Sequence, residues 1–368
     1  MRVVALKTLG FRNLAPAEVE LSEGVTLLHG ANGAGKTNLL EALYMGLAGR
    51  SCRTRADRET IAFGEPLARA EVVVEDASER REFLCAVDRE EGRRHLVNGS
   101  PTTDAALLRP SLAVFMPDRL ALVKGPPAAR RSHLDGFVAA LRPARGEARR
   151  RYARALAQRN ALIGRIRGGA SGADSLDAWD AELSEAGAEL METRASATET
   201  LAPIFATTAG NLGLEAAVLR YAPRSKASTA AELREELAAK RQSDLARGFS
   251  SHGPHLDEVV ITVDGRAARR YASQGQQRTA LLALLFAERD ALLAERSEPP
   301  LMLLDDVTSE LDPKRRELLC ERLTRGGGQA LVTATESSHL PASCRRLELA
   351  VRGGAAIQGL DSASEEAA

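Results

Sequence analysis

The stretch Gly30-Ala31-Asn32-Gly33-Ala34-Gly35-Lys36-Thr37 follows the pattern G-x-x-x-x-G-K-[ST] of a phosphate-binding loop. Residues 25–29 before it are apolar and β-branched, which is typical of a buried strand, and residues 38–47 after it carry leucines at helical spacing. The glycines allow backbone N–H groups to turn towards a polyphosphate, and the helix N-terminus adds positive partial charge. This strand, loop and helix predict nucleotide binding.

A second acidic motif completes the predicted site. Residues 301–304 form a fully apolar run, and Asp305 and Asp306 follow it, where ligands bind in open α/β sheets. Two acidic residues after a strand can be an ordinary loop start, but the phosphate-binding loop in the same chain favours a functional role. We expect Lys36 to reach the β- and γ-phosphates of ATP, and Thr37 and Asp305 to hold Mg²⁺. Asp306 would then orient or deprotonate the attacking water.

Composition limits the classes of protein that fit. The chain has 368 residues, with 50 basic and 50 acidic side chains, so net charge alone predicts no acidic partner. No run of 18 apolar residues occurs, which predicts that no segment spans a membrane. The N-terminus resembles a strand and not a signal peptide, and the four cysteines are scattered. We therefore expect a cytoplasmic protein with reduced thiols.

The pattern of short strands predicts two sheets. Residues 3–6, 17–21 and 25–29 are strand candidates that we expect to begin one sheet ending at the phosphate-binding loop. Residues 68–97 contain two further strands, and Asn98-Gly99 predicts a tight turn of type I′ after them. The expected result is a small antiparallel sheet beside the nucleotide-binding core.

The middle of the chain, residues 126–246, is predicted to be mainly helical. Apolar residues recur at helical spacing before and after a glycine-rich break at residues 168–172, which predicts an antiparallel helical hairpin with a short coiled-coil-like seam. The two series are Tyr152, Leu156, Ile163 and Ile166, and then Leu176, Trp179, Leu183 and Leu190.

Positive charge concentrates on this helical segment. From residue 124 to residue 167 twelve Lys or Arg side chains stand against two acidic ones. Two interpretations stay open: a solvated face balanced by the acidic second helix, or a surface for the phosphate backbone of DNA, binding in a salt-dependent way. The candidates for the second are Lys124, Arg130, Arg131, Arg149, Arg150 and Arg151.

Three motifs together resemble the ABC-type ATPases. They are Ser273-Gln274-Gly275-Gln276-Gln277, Leu303 to Asp306, and Ser309 to Asp312. The resemblance implies that the serine and glycine of the first motif cap the γ-phosphate held by a second protomer. It also implies that Ser309 and Asp312 lie where the two protomers meet, so that ATP closes a homodimer.

Further motifs, in order along nearly the whole chain, are similar to the RecF family. They are Phe11-Arg12-Asn13, Arg53-Thr54, Val97-Asn98-Gly99, Val114-Phe115 with Pro117, Leu122 to Pro126, Arg130-Arg131, Gln158-Arg159-Asn160, Leu176 to Trp179, and Ser251-His252-Gly253-Pro254-His255. Several positions depart from the general ABC pattern. Gln276 replaces the second glycine, and Asp306 replaces a longer glutamate, so slow ATP hydrolysis is expected. His252 and His255 have no further His or Cys nearby, which favours hydrogen-bonded structural roles over a metal site.

These observations predict an α/β ABC-type ATPase head with a mostly helical second domain inserted into it. The predicted divisions are residues 1–125 and 247–353 for the head, 126–246 for the inserted arm, and 354–368 for a flexible tail. The resemblance implies an ATP-dependent DNA-binding protein of recombinational repair and replication, a slow ATPase acting as a switch. It further implies binding to single-stranded or gapped DNA, partnership with RecR and RecO, and a role in the SOS response.

Three other classes of protein fit the sequence less well. The nucleotide-binding subunit of an ABC transporter would need a membrane partner and a shorter insert. A structural SMC-like protein would need longer helical arms than about 37 Å. A nuclease fused to such a head would need an acidic metal cluster outside the ATPase motifs, and the sequence offers none.

Overall fold

The computed structural model describes residues 1–76, 79–101, 108–116, 120–296, 298–309, 311–325 and 327–358. The chain divides into two compact units. The head unit comprises Met1–Arg119 and Leu292–Ala368, and the helical unit comprises Leu120–Ala291. Pro117 of the family motif and most of the predicted flexible tail, residues 359–368, lie outside the described residues, whereas residues 355–358 of that tail form a strand.

An antiparallel sheet forms one layer of the head unit. Its strand order is β2-β1-β4-β5-β6-β7. Buried and exposed residues alternate along much of these strands, as expected where one face is packed and the other meets solvent. The strands are β1 (Arg2–Leu9), β2 (Ala17–Glu20), β4 (Leu67–Glu75), β5 (Arg80–Asp88), β6 (Gly92–Val97) and β7 (Ser100–Pro101).

The predicted turn between β6 and β7 is confirmed. Asn98 and Gly99 have φ values of +50° and +76°, the pair of positive angles that a type I′ turn requires.

A second, mostly parallel sheet holds the phosphate-binding loop. Its order is β15-β14-β3-β13-β12-β8, and the edge strand β15 alone among these described strands runs antiparallel to its neighbour. Its central strands are buried on both faces, which explains their continuous apolar sequences. The strands are β3 (Val25–His29), β8 (Leu112–Phe115), β12 (Leu301–Leu304), β13 (Ala330–Ala334), β14 (Arg345–Arg352) and β15 (Ala355–Gln358).

The expectation that residues 3–6, 17–21 and 25–29 begin one sheet was wrong. β1 and β2 belong to the antiparallel sheet, whereas β3 pairs in parallel with β13 and β14. The physical reason lies in burial. Val25 to Leu28 are all buried, as a central parallel strand requires, whereas β1 exposes side chains at intervals.

Helix α1 (Lys36–Ala48) packs between the two sheets and joins them into one core. Leu39, Leu40 and Leu43 are fully buried in a cluster with residues of both sheets. At Gly46 an added Cβ would lie 2.5 Å from a methyl carbon of Val72 in β4, so glycine permits this close approach. The head unit also contains helix α9 (Pro313–Thr324), which Asp312 caps by accepting a hydrogen bond from the Arg315 N–H.

The helical unit contains the predicted hairpin. Helix α4 (Glu147–Arg167) and helix α5 (Leu176–Asn211) form its arms, and α5 continues well beyond the predicted apolar series. Tyr152, Leu183 and Leu190 share one buried cluster, and Ile163 and Leu176 share another, which confirms the seam. The remaining helices of this part are α2 (Ala121–Lys124), α3 (Pro127–Leu141), α6 (Ala230–Arg247), α7 (Ala268–Tyr271) and α8 (Gln274–Arg296), whose last residues enter the head unit.

The structure divides the chain differently from the predicted boundaries at residues 125/126 and 246/247. Residues 120–125 and 247–291 group with the helical unit. One reason for the different boundary after residue 246 is a three-stranded sheet. In it β10 (Glu258–Val263) pairs along its whole length with β9 (Ala217–Ala222), and β11 (Arg266–Ala267) lies on the other side of β10. Pairing between distant segments leaves no trace in local sequence pattern.

Candidate nucleotide-binding site

The phosphate-binding loop connects β3 to α1, and its glycines are required by backbone geometry. Gly30, Gly33 and Gly35 have φ values of +153°, +82° and +112°, a region that residues with a Cβ rarely adopt. A Cβ on Gly30 would also lie 2.3 Å from the carbonyl oxygen of Val351. The loop therefore keeps a compact form in which its amides lie near the N-terminus of α1, the arrangement that binds anions.

Lys36 begins α1 and turns back over the loop. Its Nζ donates to the carbonyl oxygens of Gly30, at 2.7 Å, and Ala31, at 2.9 Å. Burial lowers the pKa of Lys36, and the negative charges of Asp306 and Asp305 oppose that shift. The ammonium group is thus held on the loop, with carboxylates near enough to favour its charged form.

Thr37 and Asp305 meet, although 268 residues separate them in sequence. The Thr37 hydroxyl is 2.8 Å from Oδ1 and 3.0 Å from Oδ2 of Asp305. Thr333, in the strand between β3 and β12, donates to Asp305 Oδ1 at 2.8 Å. Burial raises the pKa of Asp305, and the hydrogen bonds from Thr37 and Thr333 oppose the shift. Hydroxyl and carboxylate oxygens are the hard ligands that Mg²⁺ prefers, so this pair fits the predicted metal.

Asp306 is held in a strained conformation next to this pair. Its φ of +50° is unusual for a residue with a side chain, and its N–H donates to the Thr333 hydroxyl at 2.9 Å. Its Oδ1 is buried and has no hydrogen-bond partner among the described residues. Strain and an unpartnered buried acceptor are both typical of functional positions.

A buried carboxylate that sequence reasoning missed lies on α1. Glu41 is fully buried and accepts hydrogen bonds from Arg12 at 2.9 and 3.0 Å, from Arg53 at 3.0 Å and from Ser51 at 2.5 Å. Burial alone would raise its pKa, but the hydrogen bonds from Arg12 and Ser51, with the charges of Arg12 and Arg53, hold the pKa of Glu41 below its ordinary value. Glu41 therefore stays ionised inside the head unit.

The head unit has cavities at the phosphate-binding loop and at the basic segment that follows α1. One of about 530 Å³ is lined by residues 29–34 and 350–353, that is, by the phosphate-binding loop and the end of β14. The other, of about 450 Å³, is lined by the basic segment 50–55 with Tyr44, Asp57 and Arg93. Arg50, Arg53 and Arg55 thus border a cavity.

The predicted second-protomer motif opens helix α8. Ser273 and Gln276 form a capping box: the Ser273 N–H donates to Gln276 Oε1 at 2.8 Å, and the Gln276 N–H donates to Ser273 Oγ at 3.2 Å. This pairing gives a physical reason for glutamine where the ABC pattern has glycine. Ser273, Gln274 and Gly275 are exposed, whereas Gln277 is buried and its amide donates to the carbonyl oxygens of Ala268 and Ala272. Ser309 and Asp312, the predicted dimer-contact residues of the head unit, are exposed as well.

The structure separates the predicted DNA-binding residues into two groups. Arg130 is buried, paired with Glu258 and bonded to the carbonyl oxygens of Val123 and Gly125, so its guanidinium has an interior role and it leaves the candidate set. Arg131 is half-buried and donates to the carbonyl oxygen of Asp257. This correction follows from tertiary contacts that the sequence does not reveal.

The other basic candidates remain at the surface. Arg149 and Arg150 expose 54% and 74% of their side chains, and Lys124 is exposed. All three arginines of this run have acidic partners: Arg149 lies 3.5 Å from Asp135, Arg150 pairs with Glu147 on its own helix, and Arg151 pairs across the hairpin with Glu182 and Glu189 of α5. Part of the basic face is therefore balanced by the acidic second arm, as one of the two interpretations proposed.

The two histidines have the structural roles that the sequence favoured. His252 pairs with Glu236, and His255 bonds to the Tyr152 hydroxyl and the Ser250 carbonyl oxygen. Within the described part of the chain no cluster of three or more His, Cys, Asp or Glu residues is placed to hold a metal ion. All four cysteines are free. Across the same described residues, no helix has the length and hydropathy that crossing a bilayer requires.

Comparison with known proteins gives a consistent result. The profile described as the RecF/RecN/SMC N terminal domain matches residues 2–353. The chain is 38% identical over 352 residues to the DNA replication and repair protein RecF of Myxococcus xanthus, with 92% of each chain covered. It is also 38% identical over 339 residues to that of Deinococcus radiodurans, with 91% of each covered.

Solved structures show the same relationship. A structure of the recombination mediator protein RecF with ATP, from the RecFOR pathway, matches with a TM-score of 0.86 and 27% identity over 97% of both chains. An Smc head bound to a domain of ScpA matches with a TM-score of 0.58 at 15% identity, which indicates a shared fold alone. With its ABC-type ATPase head and its similarity along more than nine-tenths of its length, this chain belongs to the RecF family.

Proposed function

We propose that this chain is an ATP-dependent DNA-binding protein of recombinational repair and replication. The observation that carries the proposal is the Thr37–Asp305 contact, which unites the phosphate-binding loop with the second acidic motif. The relatives that match over more than nine-tenths of their length are named DNA replication and repair protein RecF, and one related structure was determined with ATP.

The residues of the head unit have separate tasks in this proposal. Lys36, released from the carbonyl oxygens of Gly30 and Ala31, donates to the β- and γ-phosphates of ATP. Thr37 and Asp305 hold Mg²⁺, which neutralises phosphate charge when bound. Asp306 accepts a hydrogen bond from the attacking water with its unpartnered Oδ1 and orients that water.

ATP acts here as a ligand that favours a closed dimer. Ser273 and Gly275 of one protomer would cap the γ-phosphate bound by the other, with Ser309 and Asp312 at the contact between protomers. Because only the triphosphate bridges both halves, it binds the closed form more tightly and shifts the population towards it. Hydrolysis, slow because Asp306 is one methylene shorter than glutamate, would reopen the dimer.

Further assignments follow from membership of the RecF family. We place the protein in the cytoplasm, acting on single-stranded or gapped DNA with RecR and RecO to load a recombinase, and contributing to the SOS response. The alternative of an ABC transporter subunit is not favoured, since the matching relatives are repair proteins over nearly their whole length.

One experiment tests the proposal directly. DNA binding is measured against salt concentration with and without ATP and Mg²⁺, while the mass of the complex is followed. We expect ATP to raise both DNA affinity and the dimer fraction, and the logarithm of affinity to fall linearly with the logarithm of salt. DNA binding and mass that are both indifferent to ATP would refute the proposal.

A further inference from the structure

We propose that a groove in the helical unit, between helix α5 and strand β9, is the docking site for an amphipathic helix of a partner protein whose flanks carry lysine or arginine. The groove has a volume of about 550 Å³, and all of its lining residues belong to the helical unit. None of them is a residue of the predicted nucleotide-binding site. The inference therefore goes beyond the proposed function and does not depend on it.

The floor of the groove is formed by its buried lining residues. Met191 of α5 and Leu219 of β9 expose only 8% and 3% of their surface. Thr198 is the buried polar residue of the lining, and its hydroxyl donates to the Arg194 carbonyl oxygen at 2.8 Å. Because this hydroxyl already has a partner, the floor suits apolar side chains of a ligand better than ordered water.

The α5 wall has the periodicity of a surface on which a second helix packs. Ala188, Ala195 and Ala202 are half-buried and recur every seven residues, and the buried Met191 and Thr198 lie between them at the same interval. This is the alternation of a and d positions in a coiled coil. The wall extends for about 21 Å along α5, so a ligand helix of comparable length can lie against it.

The opposite wall consists of β9 and the segment that follows it. The Tyr221 side chain is anchored, because its hydroxyl donates to Asp257, which is completely buried. Pro223 and Ala227 add apolar surface beyond the end of the strand. Contacts within the helical unit thus form both walls before a ligand binds, which lowers the conformational entropy that binding costs.

The charge on the rim identifies the occupant. Glu192 and Glu199 are exposed lining residues of α5, seven positions apart. Glu192 makes one exposed contact of 3.5 Å with Arg145, a kind of pair worth little, and Glu199 has no ion pair in the described part of the chain. Arg220, on the opposite wall, is the one basic residue among those that line the groove. An apolar floor beside an acidic rim repels the phosphate backbone of DNA and attracts a basic amphipathic helix.

The test measures how two synthetic helical peptides bind to the full chain. Each peptide has about three heptads with leucine at a and d positions, and the flanks carry lysine in one and glutamate in the other. Fluorescence anisotropy with labelled peptide at trace concentration gives the affinity. We expect a dissociation constant of about 10 µM for the lysine peptide and at least about tenfold weaker binding of the glutamate peptide. Equal affinities, or no binding of the lysine peptide, would overturn the proposal.

Glu199→Lys tests the charge of the rim. We expect it to weaken binding of the lysine peptide about fivefold and to strengthen binding of the glutamate peptide. The matched control is Glu235→Lys on α6, because Glu235 is exposed, does not line the groove and has no ion pair across the same described residues. Equal effects of the two variants would show that only net charge matters and would contradict the proposal.

Ala195→Trp tests the location, since a large side chain on the α5 wall fills the groove. We expect loss of lysine-peptide binding with an unchanged thermal midpoint. A photoreactive group on the lysine peptide gives an independent result on the wild type, where crosslinks should fall within residues 188–202 and 219–228. Crosslinks elsewhere would overturn the location. Light scattering without ATP or peptide tests a second copy of the chain as occupant, and a dimer that Ala195→Trp dissociates would overturn the assignment to a partner protein.

Discussion

Two buried ionic clusters in this chain use the same chemistry in opposite ways. In the head unit one carboxylate, Glu41, serves two arginines that remain partly exposed. In the helical unit one arginine, Arg159, forms ion pairs with two carboxylates, Asp180 and Asp244. All three side chains are completely buried. The first cluster leaves positive charge partly exposed at the surface of the head unit, and the second keeps its charge within the fold.

The contacts of Arg159 explain its structural role. Its Nε is 2.6 Å from Asp180 on α5, and its Nη1 is 2.7 Å from both Asp244 on α6 and the Ser250 hydroxyl. Arg159 itself lies on α4, so one guanidinium joins three helices and the segment after them. The central residue is buried in both clusters. The clusters differ in the exposure of the residues that pair with it.

The largest effect is expected for Arg159→Leu. The change removes the cation that Asp180 and Asp244 share and leaves Asp180 paired with Arg241 alone; breaking such a buried pair costs about 3–5 kcal/mol. Chemical denaturation should show this loss in the free energy of unfolding. Arg154→Leu, on the exposed side of the same helix, is the control and should change stability by less than about 1 kcal/mol. Similar losses in both variants would remove the distinction between the clusters.

Lys36→Ala should have the next largest effect, on ligand binding and not on folding. Loss of a charged donor to phosphate costs about 1.5–3 kcal/mol, or roughly 10- to 150-fold in ATP affinity. The thermal midpoint should change little, because the bonds that Lys36 makes within its own loop are local. Calorimetric titration with ATP measures the effect, with Lys314→Ala at the exposed start of α9 as the control. Unchanged ATP-dependent dimerisation in Lys36→Ala would disprove the assignment of the loop.

The sequence predicted the parts of the site that are continuous along the chain. The strand, loop and helix around Gly30 to Thr37 were confirmed, because their geometry follows from local glycine and leucine spacing. The position of Asp305 at the end of a buried strand was also predictable, since an apolar run followed by acids marks that edge. The helical hairpin followed from apolar spacing on both sides of a glycine-rich break.

Features that depend on distant partners were not predicted. Glu41 carried one signal, a charged residue inside an apolar stretch of helix, but its partners at Arg12 and Arg53 come from other segments. The same limitation explains the separate sheet of β3 and the pairing of β9 with β10. The burial of Arg130 against Glu258 likewise depends on residues 128 positions apart.

Ser273→Arg tests whether the site is shared between protomers. Ser273 is exposed at the start of α8, so a larger side chain fits there in a monomer but would obstruct the γ-phosphate of a second copy. We expect unchanged ATP affinity in the monomer and at least about tenfold weaker ATP-dependent dimerisation. Light scattering at several protein concentrations measures the latter. The control is Tyr271→Ala, because Tyr271 is exposed beside the motif. Arg278, one turn into the same helix, is unsuitable as a control because it has contacts of its own. Normal dimerisation of Ser273→Arg would rule out the shared site.

The Glu41 cluster should also contribute to stability in a pH-dependent way. The pKa of Glu41 is lowered in the folded state, so its contribution is fully present above the unfolded carboxyl pKa of about 4.3 and is lost as pH falls through the lower folded value. The difference in free energy of unfolding between the wild type and Glu41→Gln should therefore be greatest near neutral pH and shrink below about pH 4. Denaturation of both proteins across this range measures it. A difference that stays constant would show that Glu41 is not held ionised by its arginines.

The smallest effect is expected on DNA binding by the basic face of the hairpin. Here the comparison between exposed and buried charge applies to single arginines. All three arginines have acidic partners, but Arg151 exposes 36% of its side chain, whereas Arg149 and Arg150 expose more than half of theirs. Reversal of all three charges should weaken DNA binding and reduce its salt slope, but Arg149→Glu with Arg150→Glu should account for nearly all of a slope change of about 2. The control reverses Arg234 and Lys240, exposed on α6, which changes net charge equally. If the control weakens DNA binding as much, only net charge matters; if neither pair does, the basic face is a solvated surface balanced by the acidic arm. If Arg149→Glu with Arg150→Glu alone reduces the salt slope, the hairpin binds DNA through these exposed arginines.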